Sequence, residues 1–247
     1  MPSIASNEGL MLWIMTALAN TLGSHAILKG GMVLRLLDCP RHTNDLDYVF
    51  VPYDSKKKIV PLMERVLQSL DGVRWTHQMH STSVRFLISY QKFSTQIEAN
   101  VASACLTEPL STSALARAAQ QTPRIIRVMR LDQALAHKIG AWNERGLLRD
   151  LYDIYFLHTI VGKLPDLPTL KGRLACVQYA KKIPKTGQSK TMSLTALCDK
   201  LRAAAADLDA RAIAQQLGDY LAPSEYAGLE HKIKISIAHL VDALMAA

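Results

Sequence analysis

Two short motifs, separated by about a dozen residues, constrain this chain more than any other feature. The first, Lys29-Gly30-Gly31, follows the short apolar run His25-Ala26-Ile27-Leu28 and precedes a helical run from Met32 to Leu37. This order predicts a buried strand, then a turn in which two glycines let the backbone approach a ligand closely, then a helix. A helix N-terminus behind such a turn favours an anion, for example a phosphate group.

The second motif lies on a predicted strand, Asp45-Leu46-Asp47-Tyr48-Val49-Phe50-Val51, after a break at Cys39-Pro40. Side chains two residues apart on a strand share a face, so Asp45 and Asp47 point the same way. Neighbouring carboxylates repel each other unless a cation lies between them, and hard oxygen ligands suit Mg²⁺ bound together with substrate phosphates. The two motifs therefore predict a site for a divalent cation and a phosphorylated ligand.

These motifs and three later ones resemble the nucleotidyltransferase superfamily of the DNA polymerase β type. The narrower resemblance is to the AbiEii/AbiGii (MenT-like) group of bacterial nucleotidyltransferase toxins, which typically reads Lys-Gly-Gly, then Arg-x-[Ser/Thr]-x-Asp-[Leu/Ile]-Asp, a lone acid on a strand, a helical lysine, and Arg-Asp-x-x-Asp. The matching residues are Lys29-Gly30-Gly31, Arg41-His42-Thr43-Asn44-Asp45-Leu46-Asp47, Glu98, Lys138 and Arg149-Asp150-Leu151-Tyr152-Asp153. Many superfamily members have Gly-Ser in the turn, whereas the second glycine here brings no hydroxyl.

The resemblance implies a Mg²⁺-dependent enzyme that moves a nucleotide from a nucleoside triphosphate (NTP) to an acceptor. It implies Mg²⁺ ligation by Asp45, Asp47 and Glu98, with Glu98 near the attacking hydroxyl. It implies that Asp150 is catalytic and orients a lysine or a base. Binding of the NTP falls to Lys29, Gly30, Gly31, Arg41, Lys138, Arg149 and Asp153, with the two glycines offering backbone N–H groups to the β- and γ-phosphates.

The residues by themselves leave other interpretations open at four positions. Glu98 could be a surface carboxylate on a strand, and Arg41 could brace its own loop rather than meet the triphosphate. Lys138 lies on an apolar helix face, beside Leu135 and Trp142, and could be a surface lysine with a buried stem. Asp150 could cap the helix that follows it.

The resemblance implies an α/β nucleotidyltransferase core with a mixed sheet, which we assign to residues 1–128 because the strand pattern ends there. A mostly helical C-terminal domain at residues 129–247 would contribute Lys138 and the Arg149/Asp150/Asp153 group to the site. Strands are predicted at residues 73–80, 82–90, 95–101 and 124–129, and a loop or weak helix at 110–121. From Leu131 onward the period is helical, with a break at Pro165 to Pro168 and about four helices beyond it.

Composition indicates an ordinary soluble globular protein, with 49% hydrophobic and 20% charged residues. The sequence lacks an apolar run long enough to cross a bilayer and a basic-then-apolar leader, so we expect a cytoplasmic protein with no membrane partner. The four cysteines are far apart, with no Cys-x-x-Cys, which favours reduced thiols over a zinc site or a disulfide framework.

The net charge of +8 favours a polyanionic partner. Between Lys163 and Lys200 the chain carries eight basic and two acidic residues, a net charge of +6. This segment agrees with an RNA acceptor, and the resemblance implies the 3′ end of tRNA and a growth-inhibiting toxin neutralised by a cognate antitoxin. Two rivals stay open: nucleotide transfer to a protein or to a small molecule such as an aminoglycoside, and a non-catalytic nucleotide- or RNA-binding module.

Overall fold

The structure is a computed structural model that describes residues 4–176 and 191–246. Its chain divides into two compact units, Met1–Arg130 and Leu131–Ala247. The first unit is built on a mixed β-sheet and the second is helical, which confirms the predicted fold class.

The sheet of the first unit has seven strands within the described residues, in the order β3-β4-β5-β2-β1-β7-β6. The pairs β2–β5 and β1–β7 are parallel and the other neighbouring pairs are antiparallel. The strands are β1 (Ala26–Lys29), β2 (Asp45–Phe50), β3 (Val73–Met79), β4 (Val84–Tyr90), β5 (Phe93–Val101), β6 (Thr107–Ser111) and β7 (Ile125–Met129).

Alternation along the strands gives this sheet one apolar and one polar face. In β2 the side chains of Leu46, Tyr48 and Phe50 are buried, whereas Asp45 and Asp47 on the other face are partly exposed. Burial raises the pKa of the Tyr48 hydroxyl far above its ordinary value. The helices of this unit are α1 (Asn7–Leu22), α2 (Gly31–Leu36), α3 (Lys56–Gln68) and α4 (Ser113–Ala118).

Helix α1 begins where the side chain of Ser6 accepts a hydrogen bond from the amide of Gly9, which satisfies one of the free N–H groups of the first turn. Helix α3 begins after Ser55 and continues through Pro61, so this proline neither starts nor ends the helix. Arg35 of α2 pairs with Glu8 of α1 at 2.8 Å and donates to the carbonyl of Cys39, which ties the helix after the glycine turn to the first helix.

The second unit contains six α-helices within the described residues. A π-helical turn at Phe156–Ile160 extends the second of them. The helices are α5 (Leu131–Arg145), α6 (Leu148–Tyr155), α7 (Leu167–Ala175), α8 (Leu194–Ala206), α9 (Ala210–Leu217) and α10 (Leu229–Met245). Within residues 4–176 and 191–246, no helix combines the length and the apolar character needed to span a membrane.

One strand was not predicted. The edge strand β6 ends at Ser111, two residues inside the segment expected to be a loop or weak helix at 110–121, and the rest of that segment contains the short helix α4. Pro109 lies within β6, where it is tolerated because this strand pairs with β7 alone and needs fewer backbone donors.

Candidate active site

The glycine turn and the Asp-x-Asp strand are packed directly against each other. Gly30 has a φ of 77°, which strongly favours glycine, and a Cβ atom at this position would overlap the carboxylate of Asp47. Any other residue at position 30 would displace that carboxylate. The turn and the acidic strand therefore form one site.

The residues between the two motifs brace this site from the side of Gly31. A Cβ atom at Gly31 would lie 2.9 Å from Thr43 Oγ1 and 3.0 Å from Arg41 Nη2. Thr43 in turn donates a hydrogen bond of 2.5 Å to Asp45 Oδ1, which fixes the orientation of that carboxylate. The hydroxyl absent from position 31 thus has a counterpart in the neighbouring Thr43.

Arg41 is buried, with only 6% of its surface exposed, and donates to the carbonyl of His42 at 3.3 Å. Its guanidinium lies against Gly31, so it holds the loop that leads into β2 close to the glycine turn. This position agrees with a bracing role and also keeps a positive charge beside the turn.

The strand register places four charged residues in one row across the polar face of the sheet. Lys29 is paired with Asp47, Asp47 with Glu98, and Glu98 with Arg85. Because paired residues on neighbouring strands share a face and lie about 5 Å apart, this row has a cation at each end and two adjacent carboxylates between them. Asp45 occupies the same face one step along β2, opposite Gln96.

Glu98 is held by two residues that the sequence analysis did not identify. Ser83 donates a hydrogen bond of 2.7 Å to Glu98 Oε1, and Arg85 Nη2 lies 3.4 Å from Glu98 Oε2. Ser83 is buried, whereas the side chains of Arg85 and Glu98 are each more than a third exposed. The one signal in the sequence was the arginine inside the otherwise apolar run Val84-Arg85-Phe86-Leu87-Ile88.

These contacts bear on the expected three-carboxylate metal site. Within the described parts of the chain, no group of three or more His, Cys, Asp or Glu side chains is arranged to hold a metal ion. The carboxylate of Glu98 is directed towards β4 by Ser83 and Arg85 rather than gathered with Asp45 and Asp47. The pair that the backbone brings together with the glycine turn is Asp45 and Asp47.

At the edge of this site Lys29 approaches Cys105. Burial raises the pKa of the Cys105 thiol, and the nearby ammonium of Lys29 opposes that shift. The thiol is therefore largely protonated at neutral pH, which is not the state of a nucleophilic cysteine.

In the second unit, Lys138 of α5 forms an ion pair with Asp153 of α6 at 2.6 Å. The side chain of Asp153 is 1% exposed and that of Lys138 is 16% exposed. Lys138 is therefore not a lysine whose ammonium reaches freely into water. Its position is set by a buried carboxylate.

Asp150 has a different partner from the one that the resemblance implied. Arg145 donates two hydrogen bonds of 2.6 Å to the two carboxylate oxygens of Asp150, which is 1% exposed. The lysine of this region is oriented by Asp153 instead. Asp150 is not a helix cap, because α6 begins after Leu147 and Asp150 lies in its first turn.

The third member of the Arg-Asp-x-x-Asp motif, Arg149, points to the turn that follows α9. Its Nη1 donates to the hydroxyl of Tyr220 at 3.2 Å, and its guanidinium lies 5.8 Å from the centre of the Tyr220 ring. The motif thus directs its arginine and its two aspartates to different neighbours.

The basic segment between Lys163 and Lys200 falls partly outside the described residues, which do not include Lys181, Lys182, Lys185 and Lys190. Two of its described cations are engaged within the unit. Arg173 pairs with Glu144 at 2.7 Å, and Lys200 donates to Asn143 and lies 5.2 Å from the centre of the Trp142 ring. Partial burial lowers the pKa of Lys200.

Comparison with known proteins finds a family match over most of the chain. Residues 13–237 match the family model of the nucleotidyl transferase AbiEii toxin of type IV toxin–antitoxin systems. No curated protein matches the sequence.

Two solved structures are similar to the chain over most of its length. One is the MenT4 nucleotidyltransferase toxin of Mycobacterium tuberculosis, with a TM-score of 0.62 and 16% identity over 96% of this chain and 83% of that one. The other is JHP933 of Helicobacter pylori, with a TM-score of 0.54 and 15% identity over 97% of this chain and 92% of that one. At these identities the likeness supports the fold.

Proposed function

The chain belongs to the AbiEii family of nucleotidyltransferase toxins, and from this premise we propose that it transfers a nucleotide from an NTP to RNA in a Mg²⁺-dependent reaction. The proposed acceptor is the 3′ end of tRNA. The proposed consequence is growth inhibition, relieved by a cognate antitoxin protein. The observation that carries this proposal is the packing of the Asp47 carboxylate against the Gly30 turn.

The residues present fit a magnesium ion with bound phosphates. Mg²⁺ is usually held by one or two protein carboxylates together with waters and substrate phosphates, rather than by a cage made only of protein. Asp45 and Asp47 supply two carboxylates on one strand face, beside a turn whose backbone can approach a phosphate closely. When bound, the ion would neutralise charge on the phosphates of the NTP.

In this proposal the groups of the first unit have separate tasks. Asp45, oriented by Thr43, and Asp47 hold the metal-bound triphosphate, while the amides of Gly30 and Gly31 bind the β- and γ-phosphates. Lys29 adds a positive charge beside Asp47 in the row across the sheet. Preorganised charges of this kind commonly provide most of the stabilisation in phosphoryl and nucleotidyl transfer.

Glu98 is proposed to receive the proton of the attacking hydroxyl. A new bond forms between the acceptor oxygen and the α-phosphorus, and the bond from the α-phosphorus to the oxygen of pyrophosphate breaks. Ser83 and Arg85 hold the Glu98 carboxylate in one orientation, on the strand next to the one that carries Asp47, as a positioned base requires.

For the second unit, the family resemblance supports a triphosphate-binding role for Lys138. The ion pair with Asp153 would keep this ammonium in one orientation. Asp150 then acts through Arg145 rather than on a lysine, and Arg149 is positioned by Tyr220. These roles are predictions from the motif and its local contacts.

The decisive experiment gives the purified protein Mg²⁺, each labelled NTP in turn, and one of three acceptors in parallel: total tRNA, a protein extract, or a panel of aminoglycosides. We expect label at the 3′ end of tRNA with at least one NTP. Asp47→Asn is the matched negative control, since it keeps the shape of the side chain and removes its charge. Label in the protein or aminoglycoside tubes alone would replace the acceptor and leave the enzyme class intact.

A further inference from the structure

We propose that a groove on the polar face of β3, β4 and β5 binds the last single-stranded nucleotides of the RNA acceptor, with Arg74 contacting a phosphate and Leu87 packing against a base. This inference rests on the proposed transfer to RNA and names the surface that would guide the acceptor to the site. None of the roles proposed so far uses this groove.

The direction of the reaction places the acceptor on this side of the sheet. In nucleotidyl transfer the attacking and leaving oxygens lie roughly in line at the α-phosphorus. The proposed position of pyrophosphate is the Gly30–Gly31 turn, which follows Lys29 at one end of the charged row. The hydroxyl must then arrive from the opposite end, where the row continues to Glu98 on β5 and Arg85 on β4.

The groove lies at that end of the sheet, next to the acidic residues. It has a volume of about 540 Å³, within the range of sites for small ligands. Its floor includes Gln96, Leu87 and Thr76, which are paired in one row across β5, β4 and β3, and this row begins at Asp45 on β2. The groove is thus continuous with the face that carries the candidate active site.

The lining favours an anion with polar edges. Among the described residues that line the groove there is one charged side chain, the exposed Arg74, and no carboxylate. Thr76, Ser89 and Gln96 offer hydrogen-bonding groups, which suit the sugar and base edges of a nucleotide. An arginine beside such groups suits a phosphodiester, which it can bind through two donors at once.

Leu87 gives the groove an apolar surface that its own sheet does not cover. Its neighbours on β4, Phe86 and Ile88, are buried on the other face, whereas Leu87 is 47% exposed. Single-stranded nucleic acids present flat apolar base faces together with phosphates, and proteins that bind them combine stacking surfaces with positive charge. A polycationic aminoglycoside would instead require carboxylates, and the described lining contains none.

The test measures binding of a fluorescently labelled RNA hexamer with a free 3′ hydroxyl by anisotropy, between about 50 and 200 mM KCl. Arg74→Ala should weaken binding about tenfold, the scale of losing one charge-assisted hydrogen bond. It should also reduce the magnitude of the slope of log K against log salt by about 0.7, the share of one phosphate contact on a single strand. Arg65→Ala is the matched control, because Arg65 is an exposed arginine of α3 that does not line the groove.

A second variant works in the opposite direction, so that misfolding cannot imitate it. Leu87→Phe should tighten binding of the hexamer about fivefold, since an aromatic ring stacks better on a base. If Arg74→Ala melts earlier than the wild type, the Leu87→Phe result decides. Two results would overturn the inference. The first is a salt slope for folded Arg74→Ala that equals the slope for Arg65→Ala. The second applies if Arg74→Ala melts early, and is an affinity of Leu87→Phe equal to that of the wild type.

The binding assay is separate from the transfer assay, so the two proposals fail in different ways. Labelling of tRNA by the wild type with no dependence of hexamer binding on Arg74 would remove the groove and keep the enzyme. Hexamer binding that depends on Arg74, without any labelling of RNA, would remove the proposed acceptor reaction and keep the groove as an RNA-binding surface.

Discussion

The carboxylates of the two units differ in their exposure and in their pairing with cations. In the sheet, Asp45, Asp47 and Glu98 are partly exposed on an open face. In the helical unit, Asp150 and Asp153 are each 1% exposed, and each has a cation within 2.6 Å. Both sets belong to motifs of one family resemblance, yet their surroundings differ.

The difference teaches which acids are available to a ligand. A buried carboxylate without a cation is very unfavourable, so Asp150 and Asp153 are committed to the positions of Arg145 and Lys138. The acids of the sheet can exchange water or a protein donor for a metal ion or a hydroxyl at modest cost. We therefore expect substitutions in the helical unit to act first on stability and those in the sheet to act first on turnover.

The largest expected effect is the loss of Lys138. Lys138→Met removes an ammonium from the buried Asp153, and breaking a buried ion pair typically costs about 3–5 kcal/mol of the free energy of unfolding. Urea unfolding measures it, with the exposed Lys171→Met as the control. Adding Asp153→Leu to Lys138→Met should recover much of the loss, because an apolar pair can replace a buried ion pair. An unchanged midpoint for Lys138→Met would show that the pair adds nothing to stability.

The next largest effect is expected on turnover rather than on stability. Asp45→Asn and Asp47→Asn should each lower turnover by about 10²–10³, the scale of losing one key electrostatic group, while the melting temperature stays close to that of the wild type. Both side chains are partly exposed, and asparagine retains an oxygen to accept the bond from Thr43. Near-normal turnover of either variant would contradict its assignment to the metal-bound triphosphate.

A smaller effect separates positioning from catalysis in the sheet. Ser83→Ala removes the hydrogen bond to Glu98 and should lower turnover about tenfold, with little change in the KM for the NTP. Ser81→Ala is the control, since Ser81 is exposed and lies two residues away. Ser83→Thr should restore turnover, because threonine keeps the hydroxyl. A threonine variant as slow as the alanine variant would indicate that packing, rather than the hydrogen bond, is what matters.

The smallest effect is expected on the outer surface of α3. Lys58 pairs with Asp54 at 2.8 Å, but both side chains are more than half exposed, and such pairs contribute little. Lys58→Ala should leave the melting temperature unchanged. Unchanged hexamer binding in the same variant would identify Lys58 as a solvated side chain. A clear loss of binding would make it a phosphate contact.

Much of the fold could be predicted because local pattern decides it. The alternation in β2 and the helical period after Leu131 both follow from which residues must be buried. The glycine turn and the orientation of Asp45 and Asp47 were accessible for the same reason. Strand β6 was missed since its polar sequence and Pro109 carry no strand signal, and pairing with β7 decides its structure.

The partners within the site could not be predicted, because they depend on tertiary packing. Ser83 directly precedes β4 and Glu98 lies on β5, and only the register of β4 with β5 brings them together. The choice of Asp153 over Asp150 as the partner of Lys138 depends on how α5 and α6 pack. A motif written as a string of letters specifies residue types and order, but not which charge faces which.

The parallel pairing of β2 with β5 also determines when this protein becomes able to react. Asp47 and Glu98 are neighbours in the sheet but about fifty residues apart in the chain. The paired strands β1 and β7 are farther apart still, by about a hundred residues. Long-range pairings of this kind form late in folding. A chain still emerging from the ribosome would therefore hold the glycine turn and the Asp-x-Asp strand without the sheet that aligns them with Glu98. The candidate active site is therefore complete only after most of the first unit has been synthesised.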